Sequence, residues 1–443
     1  MNFYLESLGC PKNLVDSHGM ARLLKYQGHR GVADPDQAQI LIVNTCGFVA
    51  DARQESLEEL RELARNKQAG QVLIAAGCLS QRWGQALLEQ VSGIDGLLGT
   101  RRWAEIAPFI AEIQQRGEQR QSHPLVRLGD PLLDDSTATY RVARQGASAY
   151  LKIADGCSAP CAFCAIPLIK GPAVSRPRAA IVQDAVQLVR QGAQELILIA
   201  QDTTAYGRDR GERDGLPALV EAILDAVPAG ELHWLRLMYA YPGHISPRLI
   251  ETMASDARIC HYLDLPLQHA HPDTLQRMKR PANVERTLKL VTGLRAAMPD
   301  IALRTSFIVG YPGETDAEFQ ALLDFVAEIR FDRVGGFLYS PEEGTPAGAL
   351  PHAVPEEIKE ERLDRLMELQ QRISLEVNQA QIGRQLDVLI EGQGDDLSIG
   401  RSYRDAPEID GLVLIPDQLP LGEIVSTRIT GAMEYDLVGE RNA

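Results

Sequence analysis

Three cysteines lie within eight residues, in the segment Cys157-Ser158-Ala159-Pro160-Cys161-Ala162-Phe163-Cys164. Thiolates this close cannot connect distant parts of a fold, but they can surround one compact inorganic cluster. A four-iron cluster normally takes four cysteine ligands, so three would leave one iron open to an outside ligand. Zinc is an alternative, although structural zinc sites use four ligands and no fourth Cys or His lies nearby. Incidental cysteines are the third interpretation, and the spacing favours the iron–sulfur cluster.

Cys10, Cys46 and Cys78 lie near the N-terminus, and each follows a short apolar run. Such runs, separated by helical stretches, predict buried strands of a parallel sheet. Loops at the carboxyl ends of parallel strands share one edge of the sheet, so the pattern predicts that these three thiols meet there. The alternative is three unrelated buried cysteines, since free cysteine is often buried. The seventh cysteine, Cys260, has no such pattern and is predicted to be a packing residue.

Composition and charge limit the class of protein. The chain has 443 residues, of which 45% are hydrophobic, and a formal net charge of −15. No apolar run is long enough to cross a membrane, and the first residues lack the pattern of a secretory signal. We therefore expect a folded cytoplasmic protein whose cysteines bind metal rather than form disulfides. The negative charge argues against a general nucleic-acid binder, which needs a basic face, and permits a basic protein partner.

The order of predicted elements indicates a multidomain α/β chain with three folded segments and one linker. Residues 1–111 alternate strands with helices, and residues 112–142 are polar and rich in turn formers, which predicts a linker. Residues 143–376 form a second strand–helix series. Its six candidate strands predict a parallel (β/α)6 partial barrel with functional loops at the carboxyl ends of the strands. The candidate strands are 150–154, 196–200, 234–239, 263–267, 303–309 and 334–338.

The C-terminal segment, residues 377–443, is predicted to be a small antiparallel β-barrel, preceded by a long helix that begins near Pro355. From residue 380 onward, 12 acidic and 5 basic side chains give it a net charge of −7. This imbalance predicts an acidic surface that attracts a basic protein rather than RNA. The acids include Asp395, Asp396, Asp405, Glu408 and Asp410.

Several motifs resemble those of the radical S-adenosylmethionine (SAM) methylthiotransferases. The resemblance spans the whole chain in that family's domain order, which is an N-terminal methylthiotransferase domain, a radical-SAM core and a C-terminal TRAM barrel. The chain is most similar to the RimO type, which modifies an aspartate of ribosomal protein S-twelve. The MiaB type, which modifies adenosine in tRNA, typically has Gln-Met where this chain has Pro11-Lys12. The motifs include Ser7-Leu8-Gly9-Cys10-Pro11-Lys12-Asn13, Val43-Asn44-Thr45-Cys46-Gly47, Ala76-Gly77-Cys78-Leu79 and Asp264-Leu265-Pro266-Leu267-Gln268-His269-Ala270.

The resemblance implies two 4Fe–4S clusters. One would be held by Cys157, Cys161 and Cys164, here called the core triad. The other, an auxiliary cluster, would be held by Cys10, Cys46 and Cys78, here called the N-terminal triad. The first cluster would cleave SAM, and the resulting 5′-deoxyadenosyl radical would take hydrogen from the β-carbon of the substrate aspartate.

The product implied is 3-methylthioaspartate, made with two SAM molecules, and no side chain is expected to act as acid or base. Gln201, Arg304 and Ser306, placed at predicted strand ends, are candidate SAM contacts. The implied partners are ribosomal protein S-twelve, a sulfur donor and an electron donor, with neither a membrane nor direct nucleic-acid binding expected. A tRNA methylthiotransferase and a non-catalytic iron–sulfur protein are the alternatives.

Overall fold

A computed structural model describes residues 1–117, 123–130, 141–228 and 230–442. The N-terminal strands are β1 (Asn2–Ser7), β2 (Arg30–Gly31), β3 (Ile40–Thr45), β4 (Val72–Gly77), β5 (Gly96–Gly99) and β6 (Leu125–Arg127). They form one parallel sheet in the order β2-β1-β3-β4-β5-β6. The helices are α1 (Pro11–Tyr26), α2 (Ala50–Asn66), α3 (Cys78–Trp83), α4 (Gln85–Gln90) and α5 (Ile106–Gln115).

Helices cover both faces of this sheet, which explains the unbroken apolar runs in its central strands. Every residue of β3 and β4 is buried. Met20 of α1 and Phe109 of α5 pack on one face, and Leu57 and Leu60 of α2 pack on the other. The strand–helix alternation predicted for this segment is therefore present.

The expected linker, residues 112–142, contains regular structure. Helix α5 continues to Gln115, and β6 pairs with β5 as the last strand of the N-terminal sheet. The short polar sequence around β6 hides this strand, because its pairing with β5 is a long-range contact. Residues 118–122 and 131–140 of the predicted linker lie outside the described residues.

The central segment contains the six parallel strands expected of the partial barrel. They are β8 (Ser148–Lys152), β11 (Glu195–Ile199), β12 (Trp234–Leu237), β13 (Ile259–Asp264), β14 (Ala302–Val309) and β15 (Arg333–Leu338), with β7 (Val142–Gln145) antiparallel at the β8 edge. The sheet order is β15-β14-β13-β12-β11-β8-β7. A small hairpin of β9 (Ala154–Asp155) and β10 (Val174–Ser175) flanks helix α6 (Ile166–Lys170). The outer helices are α7 (Arg178–Arg190), α8 (Gly215–Ala226), α9 (Pro247–Ser255), α10 (Pro272–Arg277), α11 (Val284–Ala297) and α12 (Asp316–Ile329).

The fourth core strand lies earlier than predicted. The prediction placed it at 263–267, but β13 ends at Asp264. Pro266 has no backbone N–H and therefore cannot continue the strand ladder. Cys260 consequently lies within β13, is 2% exposed and packs in the barrel interior, which confirms it as a packing residue.

The C-terminal segment begins with helix α13 (Glu356–Gln379), which packs on β15 and α12 and crosses the expected boundary at residue 376. A closed barrel follows, in the order β16-β17-β18-β20-β19. Its strands are β16 (Gln385–Gly394), β17 (Leu397–Arg401), β18 (Val413–Ile415), β19 (Ile424–Ala432) and β20 (Leu437–Arg441). Across the described ranges, no helix is both long and apolar enough to cross a membrane.

Candidate functional site

The core triad lies in the loop between β9 and α6, and the neighbouring loops hold that loop in place. The Cys157 N–H donates to the Gly171 carbonyl at 3.0 Å, and the Ala162 N–H donates to the Met278 carbonyl at 2.9 Å. Gly156 has φ +73°, and a Cβ there would lie 2.0 Å from the Pro172 carbonyl oxygen. Only glycine can occupy that position, so the residue before the first cysteine is set by the path of the loop.

Burial disfavours the thiolate form of two cysteines of the core triad. It raises the pKa of Cys157, and it raises the pKa of Cys164 to about 12. The Arg280 guanidinium lies 3.6 Å from the Cys161 sulfur and is a nearby cation. Because thiolates are the metal-binding form, the positive charge of a bound metal group would favour ionisation of Cys157 and Cys164.

The N-terminal triad forms at the carboxyl edge of the first sheet, as predicted. Cys10 follows β1, Cys46 follows β3, and Cys78 follows β4 as the first residue of α3. Gly9 has φ +86°, and a Cβ there would lie 2.8 Å from the Cys46 Cβ and 2.9 Å from its sulfur. Glycine at this position therefore allows the loop carrying Cys10 to approach Cys46.

Side chains that the sequence analysis did not single out align these loops. The Asn13 amide donates to the carbonyls of Leu8 and Asn44, at 2.7 and 3.0 Å. The Asn44 amide donates back to the Asn13 carbonyl at 2.9 Å, and the Ser56 hydroxyl accepts from the Cys46 N–H at 2.9 Å. Asn13 lies three residues after Cys10 and Asn44 lies two residues before Cys46, and this closeness to motif cysteines is the sequence signal that could have identified their role.

The sulfurs of neither triad are arranged for a single tetrahedral zinc ion. In a tetrahedral zinc site with Zn–S bonds of about 2.3 Å, sulfur atoms lie roughly 3.8 Å apart. All six cysteines are within the described ranges, yet in neither triad do the three sulfurs all lie within 4.8 Å of one another. Burial raises the pKa of Cys46, and raises that of Cys78 to about 12, so a bound metal group would also favour ionisation of these two thiols.

The two triads meet across the interface between the N-terminal sheet and the core. Cys78 packs directly against Ala165 and Ile169. Ala165 is the residue after Cys164, and Ile169 belongs to α6. Cys78 of the N-terminal triad therefore contacts the residue that follows Cys164 of the core triad, which places the two triads at one domain interface.

A buried network of charges joins the same two domains. Asp16 of α1 accepts from Lys152 at 2.6 Å and from Lys170 at 3.3 Å. Asp155 contacts the same two lysines at 2.7 and 3.3 Å. Burial opposes ionisation of Asp155, but the lysines and Arg141 outweigh it and hold the pKa of Asp155 below its usual range. The network fixes α1 over the strand ends of the core.

Lys12 lies at this junction in a different setting. Its side chain is almost fully buried, and its ammonium lies 2.9 Å from the centroid of the Tyr239 ring. Burial lowers the pKa of Lys12 to about 8, although Cys10 and Asp264 nearby act in the opposite direction. Tyr239 follows β12 and has φ +61°, an unusual backbone conformation for a residue with a side chain.

The three candidate SAM contacts occupy different settings. Gln201 follows β11, and its buried Oε1 receives no hydrogen bond from the described residues, so it can accept one from a ligand. Arg304 and Ser306 lie inside β14 rather than at its end, because the strand continues to Val309. Arg304 is paired with Asp264 at 2.8 Å and with Asp410 at 3.3 Å.

A second set of ion pairs connects the N-terminal domain to the loop after β15. Glu342 is 3% exposed and contacts Arg82 at 2.6 Å, and it also pairs with Arg53. The Arg82 guanidinium additionally donates to the Gly47 carbonyl at 2.9 Å. Because Gly47 follows Cys46, this contact ties the N-terminal triad to a strand-end loop of the core.

The C-terminal barrel closes the opposite end of the core, where the parallel strands begin. Glu195, the first residue of β11, accepts from Arg236 and from Arg401 of β17, each at 2.7 Å. Burial raises the pKa of Glu195, but the two guanidinium groups outweigh this and lower it to about 2. Arg404 similarly pairs with Asp332 at 2.5 Å.

The expected acidic surface is smaller than the sequence indicates. Asp405 is 1% exposed and pairs with Arg333 at 2.8 Å. The Asp410 side chain is 1% exposed and accepts from the Tyr262 hydroxyl at 2.7 Å. These two acids neutralise core residues and therefore cannot attract a partner, whereas Asp395 and Asp396 are exposed.

A parallel six-unit core with a three-cysteine loop is the arrangement of the radical-SAM superfamily, whose family model matches residues 151–326. The TRAM domain matches residues 382–441, and "Uncharacterized protein family UPF0004" matches residues 2–99. Among solved structures, the radical S-adenosylmethionine methyltransferase TsrM from Kitasatospora setae has a TM-score of 0.57 at 18% identity, covering 78% of this chain and 73% of its own. This likeness supports the fold.

The sequence relatives are much closer. A "Ribosomal protein uS12 methylthiotransferase RimO" from Chloroflexus aurantiacus is 50% identical, covering 99% of this chain and 99% of the relative. A relative with the same description from a Roseiflexus species is 49% identical, with coverage of 99% and 97%. The chain belongs to the family of ribosomal protein uS12 methylthiotransferases. This is a family of radical-SAM transferases that use SAM and 4Fe–4S clusters.

Proposed function

We propose that this protein methylthiolates the β-carbon of an aspartate in ribosomal protein uS12. The observation that carries the proposal is the contact between Cys78 and Ala165, which brings the two cysteine triads to opposite sides of one interface. A reaction that must form a carbon radical and then join sulfur to that carbon needs both centres within reach of one substrate atom. The family membership supports the same activity and substrate.

We assign the core triad to the cluster that binds SAM and the N-terminal triad to the auxiliary cluster. When bound, these groups supply SAM cleavage and the methylthio group, chemistry that no ordinary side chain provides. The chain itself orients and shields them. Gly156 and Gly9 permit the loop paths, Asn13 and Asn44 align the N-terminal loops, and Gln201 offers an acceptor to SAM.

Each of the three segments predicted from the sequence has its own role in the proposed reaction. The N-terminal sheet holds the auxiliary cluster, the central partial barrel binds SAM, and the C-terminal barrel closes the far end. The proposed reaction also takes an external sulfur donor and an external electron donor as partners, because each turnover consumes a sulfur atom and reducing electrons. We place the reaction in the cytoplasm, where ribosomal proteins are made.

Mass spectrometry of uS12 tests this function. Cells with the gene should contain uS12 that carries one methylthio group on an aspartate, and cells without it should contain the unmodified protein. Complementation with the wild-type gene should restore the modification, and complementation with the Cys46→Ala variant should not. Unchanged uS12 together with loss of a methylthio group from tRNA would instead assign the chain to the tRNA-modifying type.

A further inference from the structure

Lys12 is a buried cation that lies near Cys10 and Asp264 but forms no ion pair with a described residue. It is 8% exposed, and within the described parts of the chain no residue accepts a hydrogen bond from its ammonium. The ammonium lies 2.9 Å from the centroid of the Tyr239 ring. Burying an ammonium in this way costs free energy unless an anion compensates it. A charge held at that cost, at the junction of two domains, is a candidate for ligand recognition.

The neighbouring cations already have partners. Lys152 and Lys170 are paired with Asp16 and Asp155. Arg304 is paired with Asp264, and Arg280 donates to the Pro266 carbonyl. An incoming anion would have to break an existing ion pair to use Lys152, Lys170 or Arg304. Arg280 and Lys12 form no ion pair with a described residue, but Arg280 lies against the Cys161 sulfur of the core triad, whereas Lys12 lies between Cys10 and the core strand ends.

The position of Lys12 relates it to the reaction. It lies two residues after Cys10 and near that thiol, and it faces Tyr239 at the carboxyl end of β12. Tyr239 adopts φ +61°, and such backbone strain in a non-glycine residue is concentrated at functional sites. The ring covers one side of the ammonium, and no described residue accepts a hydrogen bond from the N–H groups on its other side.

We infer that Lys12 binds the side-chain carboxylate of the substrate aspartate and so positions the adjacent β-carbon between the two cysteine triads. This inference rests on the proposed function. The side-chain carboxyl carbon of aspartate is directly bonded to the β-carbon. Holding the carboxylate in place therefore restricts the position of the β-carbon, which is the reacting atom. A lysine offers three charged N–H donors to a carboxylate. A neutral purine would leave the ammonium uncompensated, so the same residue selects against a nucleobase.

The test is a double-mutant cycle on binding. Calorimetry under anaerobic conditions would measure the affinity of the cluster-loaded enzyme for uS12 and for uS12 whose modified aspartate is replaced by asparagine. A hydrogen-bonded charge pair is worth roughly tenfold to a hundredfold in affinity, so the wild-type enzyme should prefer aspartate by that factor. Lys12→Met should lose most of the preference, and Lys12→Arg should keep part of it. Lys25→Met, which removes an exposed charge from the same helix, should keep all of it.

The comparison of the two forms of uS12 and the comparison of the enzyme variants can each refute the inference independently. Equal affinity of the wild-type enzyme for the two forms of uS12 would overturn the inference, even if Lys12→Met failed to fold. An unchanged preference in Lys12→Met would also overturn it, and a tenfold loss of SAM affinity in that variant would then assign Lys12 to the SAM carboxylate. Failure of the wild-type enzyme to bind or modify uS12 at all would instead reject the proposed function. Iron content of each variant confirms that both triads remain loaded.

Discussion

Replacing Glu195 by glutamine should loosen the C-terminal barrel from the core. Glu195 is fully buried, and its carboxylate contacts Arg236 and Arg401 at 2.7 Å each. The Ser148 hydroxyl donates to it at 2.8 Å. Glutamine keeps the volume but removes the charge, so two guanidinium groups lose their shared counter-ion in a site that excludes water.

The size of the effect follows from the pKa of Glu195. The pKa falls from its ordinary value of 4.5 to about 2 in the folded protein. At about 1.4 kcal/mol for each pKa unit, the ionised form contributes about 3 kcal/mol to the free energy of unfolding. The unfolded chain protonates this group first on acidification, so the contribution is complete above about pH 4.5 and is lost as the pH falls toward 2. Breaking a buried ion pair typically costs a similar roughly 3–5 kcal/mol.

Urea unfolding followed by fluorescence checks the prediction, because Trp234 is 4% exposed at the start of β12 beside this site. Glu195→Gln should lower the free energy of unfolding by about 3 kcal/mol, with a constant difference from pH 8 to about 5. Glu391→Gln is the control, because Glu391 contacts the same Arg401 but its side chain is 33% exposed. An exposed pair contributes about 1 kcal/mol or less. Equal losses in the two variants would refute the reasoning.

Three further predictions concern the cysteine triads. Cys157→Ser should abolish 5′-deoxyadenosine formation from SAM under anaerobic reduction, and near wild-type turnover would contradict the assignment of the core triad. Cys46→Ala should retain some 5′-deoxyadenosine formation but yield no methylthiolated uS12 and bind less iron; an unchanged iron content would show that this thiol binds no cluster. Gly9→Ala places a methyl group 2.8 Å from the Cys46 Cβ, so it should bind less iron than wild type. Gly28→Ala is the control, because Gly28 has a similar φ of +82° and no atom lies within 4 Å of an added Cβ, so this variant should bind the wild-type amount of iron. Equal iron contents in the two glycine variants would show that the close approach of Gly9 to Cys46 does not matter for iron binding.

The sequence predicts where the cysteines lie in the fold, because each position depends on the strand or loop that immediately surrounds it in the chain. Cys10, Cys46 and Cys78 each follow an apolar run, and parallel strands bring such positions to one edge regardless of what surrounds them. The core triad needs only its own loop. What the sequence did not predict is that Cys78 packs on Ala165, since that contact depends on how two separately folded sheets dock.

Predictions made from charge were less successful. Asp405 and Asp410 are indistinguishable in sequence from the exposed Asp395, yet they pair with Arg333 and Arg304 of the core, far away along the chain. Arg401 of β17 likewise forms a buried pair with Glu195, which lies about 200 residues earlier in the chain. Long-range pairing of charges leaves no periodic signal in the sequence.

The contact between Cys78 and Ala165 also limits how such proteins can be recombined. A chimaera that takes its N-terminal sheet from one relative and its core from another would join two interface surfaces that evolved in different proteins. A larger side chain at position 165 would displace Cys78, and loss of Asp16 would leave Lys152 and Lys170 sharing a single carboxylate. The N-terminal sheet and the core must therefore be transferred together from one relative. A chimaera that keeps its function must retain Asp16, Cys78, Ala165 and Lys170 as a set.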